Sequence, residues 1–198
     1  MLQKNLEKLS SSHIIIFHTM SFKEHYNTVI LPQVQKALGI ENPMEIPKIE
    51  KIVLNMGIGS YVASGHKDFS SLKTDLSLIA GQTPQVINSK KAISNFKLKI
   101  GMPVGMTVTL RGARMFFFLE KLVGIILPRV RDFRGISGRS FDQKGNFNFG
   151  IKEHTIFPEV PQLDVVKSHG LQITIKFKTK EKQHSRVLLD AIGFPFTK

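Results

Sequence analysis

The chain has 198 residues, no cysteine, and 28 Lys+Arg against 15 Asp+Glu, a formal charge of +13. At 41% hydrophobic residues it can bury a core, which excludes general disorder. The missing cysteine excludes disulfides, thiolate metal sites and cysteine nucleophiles. A surplus of this size over one modest chain points to a polyanion, nucleic acid or anionic membrane, rather than to a merely soluble basic protein.

Residues 1–20 read as an N-terminal extension, expected to be flexible, or as the product of an upstream start codon before Met20. They lack arginine and a small-residue cleavage site after a proper apolar region, so they make a poor targeting peptide. Residues 21–198 are expected to form a single α+β domain. Ser21 and Glu24 have capping-box spacing and open a helix over Phe22–Leu38, which Pro32 should kink or restart and Gly39 should stop.

A strand is expected near Ile49–Met56, followed by a break at Gly57-Ile58-Gly59. A helix over 66–80 turns Leu72, Leu76 and Ile79 inward, and Val86–Ile87 forms a short strand. Val104, Met106, Val108 and Leu110 alternate with Gly105, Thr107, Thr109 and Arg111, a strand with one wet face. The spacing predicts a helix over 113–127 closed by Pro128, with Met115, Leu119, Leu122, Val123 and Ile126 on one side. Phe116, Phe117 and Phe118 cannot all face inward from it. Residues 129–145 read as an ordered Arg- and Gly-rich loop. Strands follow at Phe147–Ile151 and Leu171–Phe177, then a helix near 182–192 stopped by Gly193. Such clean alternation fits a mainly antiparallel sheet with helices packed on one face and an open polar face.

The charge is clustered. Residues 88–152 hold thirteen Lys and Arg but only three acids, Glu120, Asp132 and Asp142, so they carry ten of the thirteen surplus charges. Arg111, Arg114, Arg129, Arg131, Arg134 and Arg139 outnumber the one lysine between 111 and 139, and arginine's planar fork suits phosphates and base stacking. Upstream, Lys90, Lys91, Lys97 and Lys99 surround Asn95 and Phe96. Phe96 either stacks on looped RNA or anchors this loop to its own domain. A membrane partner is disfavoured, because no apolar run approaches the ~20 residues that span a bilayer.

Catalytic chemistry finds little support. Gly57-Ile58-Gly59-Ser60-Tyr61-Val62 lacks the third glycine of a dinucleotide fingerprint and reads as a tight turn needing positive φ. The seven histidines show no metal spacing. Asp132, between Arg131 and Arg134, is expected to brace its loop. No catalytic residue, metal or cofactor is assigned. An RNA-processing enzyme or a nonspecific DNA-binding protein is the alternative class; the first needs a cofactor pocket or acidic cluster.

Six strings then occur in order: Leu54-Asn55-Met56-Gly57-Ile58-Gly59, Ala80-Gly81-Gln82-Thr83-Pro84, Val108-Thr109-Leu110-Arg111-Gly112, Pro128-Arg129-Val130-Arg131-Asp132-Phe133-Arg134-Gly135, Ile156-Phe157-Pro158-Glu159 and Gly193-Phe194-Pro195-Phe196. Together they resemble the bacterial-type large-subunit ribosomal protein L-five family over about residues 21–198. The resemblance implies a structural, non-enzymatic protein of the central protuberance on a cytoplasmic, bacterial-type ribosome, or an organellar one. It implies binding of 5S ribosomal RNA on the open face through Asn55, Gln82, Thr109 and Arg111. It also implies a loop at Lys91–Gly101 (Lys91, Asn95, Phe96, Lys97, Lys99) near the peptidyl-site tRNA, and a bridge to a small-subunit head protein. Lys90, Arg114, Arg129, Arg131, Arg134 and Arg139 are added as basic contacts. Neighbouring large-subunit proteins and 23S-type RNA are the remaining expected partners.

Overall fold

Alternating apolar residues set one face of each long strand against the core, and the structure follows that pattern. In this computed structural model residues 21–66, 68–161, 168–179 and 181–197 are described; the expected extension, residues 1–20, lies outside them. Strands β1 (Lys48–Gly57), β2 (Gln85–Asn88), β3 (Pro103–Leu110), β4 (Phe147–Ile151) and β5 (Leu171–Lys178) form one antiparallel sheet in the order β2-β3-β1-β5-β4. Ile52, Leu54 and Met56 of β1, Met106, Val108 and Leu110 of β3, and Ile173 and Ile175 of β5 are buried. They join one core with Tyr26, Ile30, Val34, Leu119, Leu122 and Leu188 from the helices. Cutting Leu54 or Ile52 back to alanine there would cost about 2–5 kcal/mol.

Helix α1 is continuous through an α-helical turn Phe22–His25, a π-helical turn Tyr26–Ile30 and an α-helical segment Leu31–Leu38. Ser21 N–H donates to Glu24 Oε2 at 3.2 Å, which fixes its start. The π-turn explains how Pro32 is tolerated. Proline donates no hydrogen bond, and its ring crowds the carbonyl four residues back. Widening the turn lets Leu31 N–H reach the Tyr26 carbonyl instead. The same device recurs in α4, built from Gly112–Lys121, a π-turn Leu122–Ile126 and Leu127–Arg129. There Leu127 N–H reaches the Leu122 carbonyl, so Pro128 does not close the helix, which continues to Arg129. Tyr26 lies beneath α4, its ring 5.1 Å from Phe116, and its hydroxyl accepts from Ile49 N–H at 3.3 Å. Burial pushes its phenol up to about 12 despite that hydrogen bond.

Between β1 and β2 the expected helix over 66–80 is shorter. A five-residue helix α2 (Gly59–Ala63) comes first, and α3 runs only over Ser70–Ala80, with Leu72, Leu76 and Ile79 buried as expected. Neither Gly57 nor Gly59 takes a positive φ, which corrects the turn expected there. Gly59 instead serves close approach, since a Cβ would lie 3.3 Å from Val104 Cγ1. On α4, Phe118 is buried, Phe116 half-buried and Phe117 64% exposed, so the three phenylalanines do divide as their spacing requires.

The 129–145 segment is ordered by the chain's end. Ile136 N–H donates to the Pro195 carbonyl at 2.9 Å, and Thr197 N–H donates to the Ile136 carbonyl at 3.0 Å. At Gly135 (φ 93°) a Cβ would sit 2.7 Å from Thr197 N, so only glycine fits. A short 3-10 turn, Gly138–Ser140, follows. Phe141, Phe147 and Phe196 then pack with ring centroids 4.7–6.1 Å apart. Asp132 makes no ion pair among the described residues and takes a left-handed φ of 52°, so it does not brace its loop through a charge pair, contrary to expectation. Helix α5 (Lys182–Ile192) ends at Gly193.

Candidate nucleic-acid interface

The face of the sheet away from the helices is polar because every second strand residue points there. The register aligns Gln85, Thr107, Asn55 and Gln172 in one row across β2, β3, β1 and β5. The adjacent row holds Thr109, Val53, Thr174 and Asn148. Asn55 and Thr109 thus sit diagonally on neighbouring strands. Side chains are tied along the rows: Asn55 Nδ2 donates to Gln172 Oε1 at 3.3 Å, and Thr174 Oγ1 donates to Asn148 Oδ1 at 2.6 Å. Thr107 Oγ1 donates to the Leu54 carbonyl at 3.0 Å. Gly57 pairs with Gly105, leaving the sheet bare of side chains beside Asn55.

One end of this face is basic. Arg111 follows the last residue of β3 in extended conformation, exposed, as the N-cap of α4. A β-bulge between Ile49 and Lys51 keeps Ile49 and Ile52 both inward and sets Glu50 out. Lys176 Nζ pairs with Glu50 Oε2 at 2.9 Å. That hydrogen bond, with the charges of Lys176, Lys51 and Arg111, holds the Glu50 carboxyl below its ordinary value against the opposing effect of desolvation. One carboxylate therefore sits among three cations. Gln82 joins the same region: beyond the end of α3, its Oε1 accepts from Arg114 Nη1 at 3.3 Å.

The lysine loop lies at the other end of β3, about 25 Å away at strand rise. Residues 89–102 connect β2 to β3 and are ordered by their own backbone. Ser89 N–H donates to the Met102 carbonyl at 2.8 Å, and Ile93 and Leu98 exchange two hydrogen bonds of 3.1 Å. Lys97 completes the turn at φ 53°. Lys90, Lys91, Asn95, Lys97 and Lys99 lie on its surface, with Phe96 68% exposed and Ile100 73%. The Phe96 ring therefore does not anchor the loop to its own domain.

Arg129, Arg131 and Arg134 form a third group. With Lys152, Asp132 and Glu153 they line an open groove of about 870 Å³ beside the β4 edge of the sheet. Arg139 sits on the 3-10 turn. The expected site residues thus divide among the open face, its Arg111 end, the lysine loop and this groove. Lys51, Gln172 and Lys176 are absent from the expected site, although the strand alternation already marks their face.

Among the described residues no helix is long and apolar enough to cross a membrane, and no group of three His, Cys, Asp or Glu could hold a metal. His154 is buried; its Nδ1 accepts from His169 N–H at 3.0 Å and its Nε2 lies 3.4 Å from Asp75 Oδ2, a structural tie.

Comparison with known proteins covers the chain in two consecutive parts. Residues 42–99 match the family model described as ribosomal protein L5, and residues 103–196 match the model of that ribosomal family's C-terminus. The large ribosomal subunit protein uL5 of Desulfosudis oleivorans is 49% identical over 176 residues, 89% of this chain and 98% of its own length. Those of Brevibacillus brevis and Lactobacillus johnsonii are 46% and 48% identical, over 89% and 90% of this chain and 97% and 98% of theirs. The chain belongs to the ribosomal protein L5 family.

Proposed function

We propose that this member of the ribosomal protein L5 family is a structural component of the large ribosomal subunit that binds 5S ribosomal RNA on the open face of its sheet. The observation that carries the reading is the placement of Asn55 and Thr109 on that face with Arg111 at its end. Folded RNA offers a wide, shallow minor groove lined with 2′-hydroxyls and base edges. A gently twisted sheet bearing Asn, Gln and Thr side chains suits that surface, and Arg111, Lys51 and Lys176 supply attraction to the phosphates. Gln82, held by Arg114, extends the contact beyond the sheet.

The exposed loop at 89–102 reaches outward as a separate finger, and we assign it to the peptidyl-site tRNA. Its Phe96 offers a stacking face within a ring of lysines. The arginine groove beside β4 is left for a neighbouring ribosomal partner, among them 23S-type RNA or the small-subunit head protein. A role in the central protuberance of a bacterial-type ribosome follows from the same reading.

Co-sedimentation tests it. The chain should travel with large subunits that retain 5S RNA and be released only by high salt. Release at low salt, or equal retention on particles lacking 5S RNA, would contradict the proposal.

A further inference from the structure

We propose that Gln172 is a positioning residue for RNA recognition by Asn55, holding that amide so that its carbonyl is presented to the RNA. The inference rests on the reading of Asn55 as an RNA contact. Asn55 and Gln172 are direct cross-strand partners on β1 and β5. Asn55 Nδ2 donates to Gln172 Oε1 at 3.3 Å, which among the described residues leaves Asn55 Oδ1, the second Nδ2 hydrogen and Gln172 Nε2 uncommitted. The surroundings keep them open. On the β3 side Asn55 faces Thr107, whose hydroxyl donates to the Leu54 carbonyl, and diagonally Gly105, where an added Cβ would lie 3.8 Å from Asn55 Oδ1. On the β4 side Gln172 pairs with Gly150.

This arrangement selects the chemistry of the contact. Oδ1 can only accept a hydrogen bond, and phosphate oxygens only accept, so this carbonyl takes no phosphate contact. What fits Oδ1 is a donor on the RNA, a ribose 2′-hydroxyl or a base N–H. Beside it, Gln172 Nε2 offers a donor to an adjacent acceptor. A 2′-hydroxyl both donates and accepts, as this acceptor–donor pair requires. The terminal torsion of an asparagine is soft. Without Gln172 the amide would rotate freely, and ordering it would weaken binding.

The experiment is a set of mutant cycles on the full chain, read as 5S RNA affinity, with thermal melting as the check on folding. Asn55→Ala is measured in the wild-type, Gln172→Leu and Gln172→Glu backgrounds. Glutamate keeps the oxygen that Asn55 Nδ2 needs, and each comparison is made at constant charge. In the wild type the alanine should weaken binding about 3- to 10-fold, the range of one net hydrogen bond. The loss should persist in the Gln172→Glu background. It should fall below about 2-fold in the Gln172→Leu background, where the amide is no longer held. An equal loss in the Gln172→Leu background would overturn the positioning role and leave Asn55 as an RNA contact. No loss in any background would remove Asn55 from the interface, and the inference with it. Single 2′-deoxy substitutions in the RNA distinguish the donors: one that abolishes the Asn55 effect identifies a 2′-hydroxyl, and an effect that survives all of them identifies a base N–H.

Discussion

Gln82 Oε1 accepts a hydrogen bond of 3.3 Å from Arg114 Nη1, joining the turn after α3 to the first turn of α4. The two residues are 32 positions apart, yet both flank the point where β3 delivers Arg111. Gln82→Ala removes this tether from an exposed site, so stability should change by no more than about 0.5 kcal/mol. Affinity for 5S RNA should fall about 2- to 10-fold, because Arg114 loses its orientation and the amide loses its own contact. Filter binding beside a thermal melt checks both; unaltered affinity would take Gln82 out of the interface.

Phe96 gives a complementary case. Its ring is 68% exposed, so Phe96→Ala should leave the melting temperature nearly unchanged. If the ring stacks on a base, the substitution should cost about 1–3 kcal/mol of that contact. The readout is crosslinking of loop 89–102 to peptidyl-site tRNA on assembled ribosomes, which should drop while 5S RNA binding holds. A large loss of stability would instead place the ring in the core.

Asp142 provides a pH dependence. Burial alone would raise its carboxyl. The hydrogen bonds from the Asn146 side chain and backbone and from the Lys144 backbone, with the Lys144 charge, outweigh burial and hold it below the usual 3.8. Asn146 N–H and Nδ2 reach the two carboxylate oxygens at 2.6 and 2.8 Å. A carboxyl with a lowered folded-state pKa adds stability above its unfolded value, and that stability is lost as pH falls through the folded value. Asp142→Asn should therefore be less stable than wild type at pH 7, with the gap closing below about pH 4. Denaturant titrations at about pH 7 and about pH 3 measure this; a gap constant with pH would contradict it.

The strands and their faces are legible in the sequence because period-2 alternation is local, and Thr109 and Arg111 can be placed from it alone. The π-turns are not, because a proline in a helical pattern reads as a kink or restart at Pro32 and as a stop at Pro128. Leu31 and Leu127 instead bond five residues back. Long-range pairings are also hidden. Lys121, for example, donates to the Ile79 carbonyl and to Glu159 Oε1 at 3.0 and 2.6 Å, which nothing near Lys121 announces. The order of the family's strings is visible; what the fold adds is that they meet in pairs. Gln82 lies beside the turn after Arg111, and the Arg129–Gly135 stretch is pinned through Ile136 to Pro195. Gln172 reads only as one wet residue among several, since its link to Asn55 depends on strand order.

The most direct test of the open face as the RNA-binding surface is 5S RNA affinity measured for Arg111→Ala beside Lys73→Ala. Both residues are exposed cations, one at the end of the open face and the other on helix α3. Removing a charge-assisted hydrogen bond should weaken binding about 5- to 100-fold for Arg111→Ala, and Lys73→Ala should leave it within about 2-fold. Equal effects of the two, or a larger loss at Lys73, would place the RNA elsewhere on the protein.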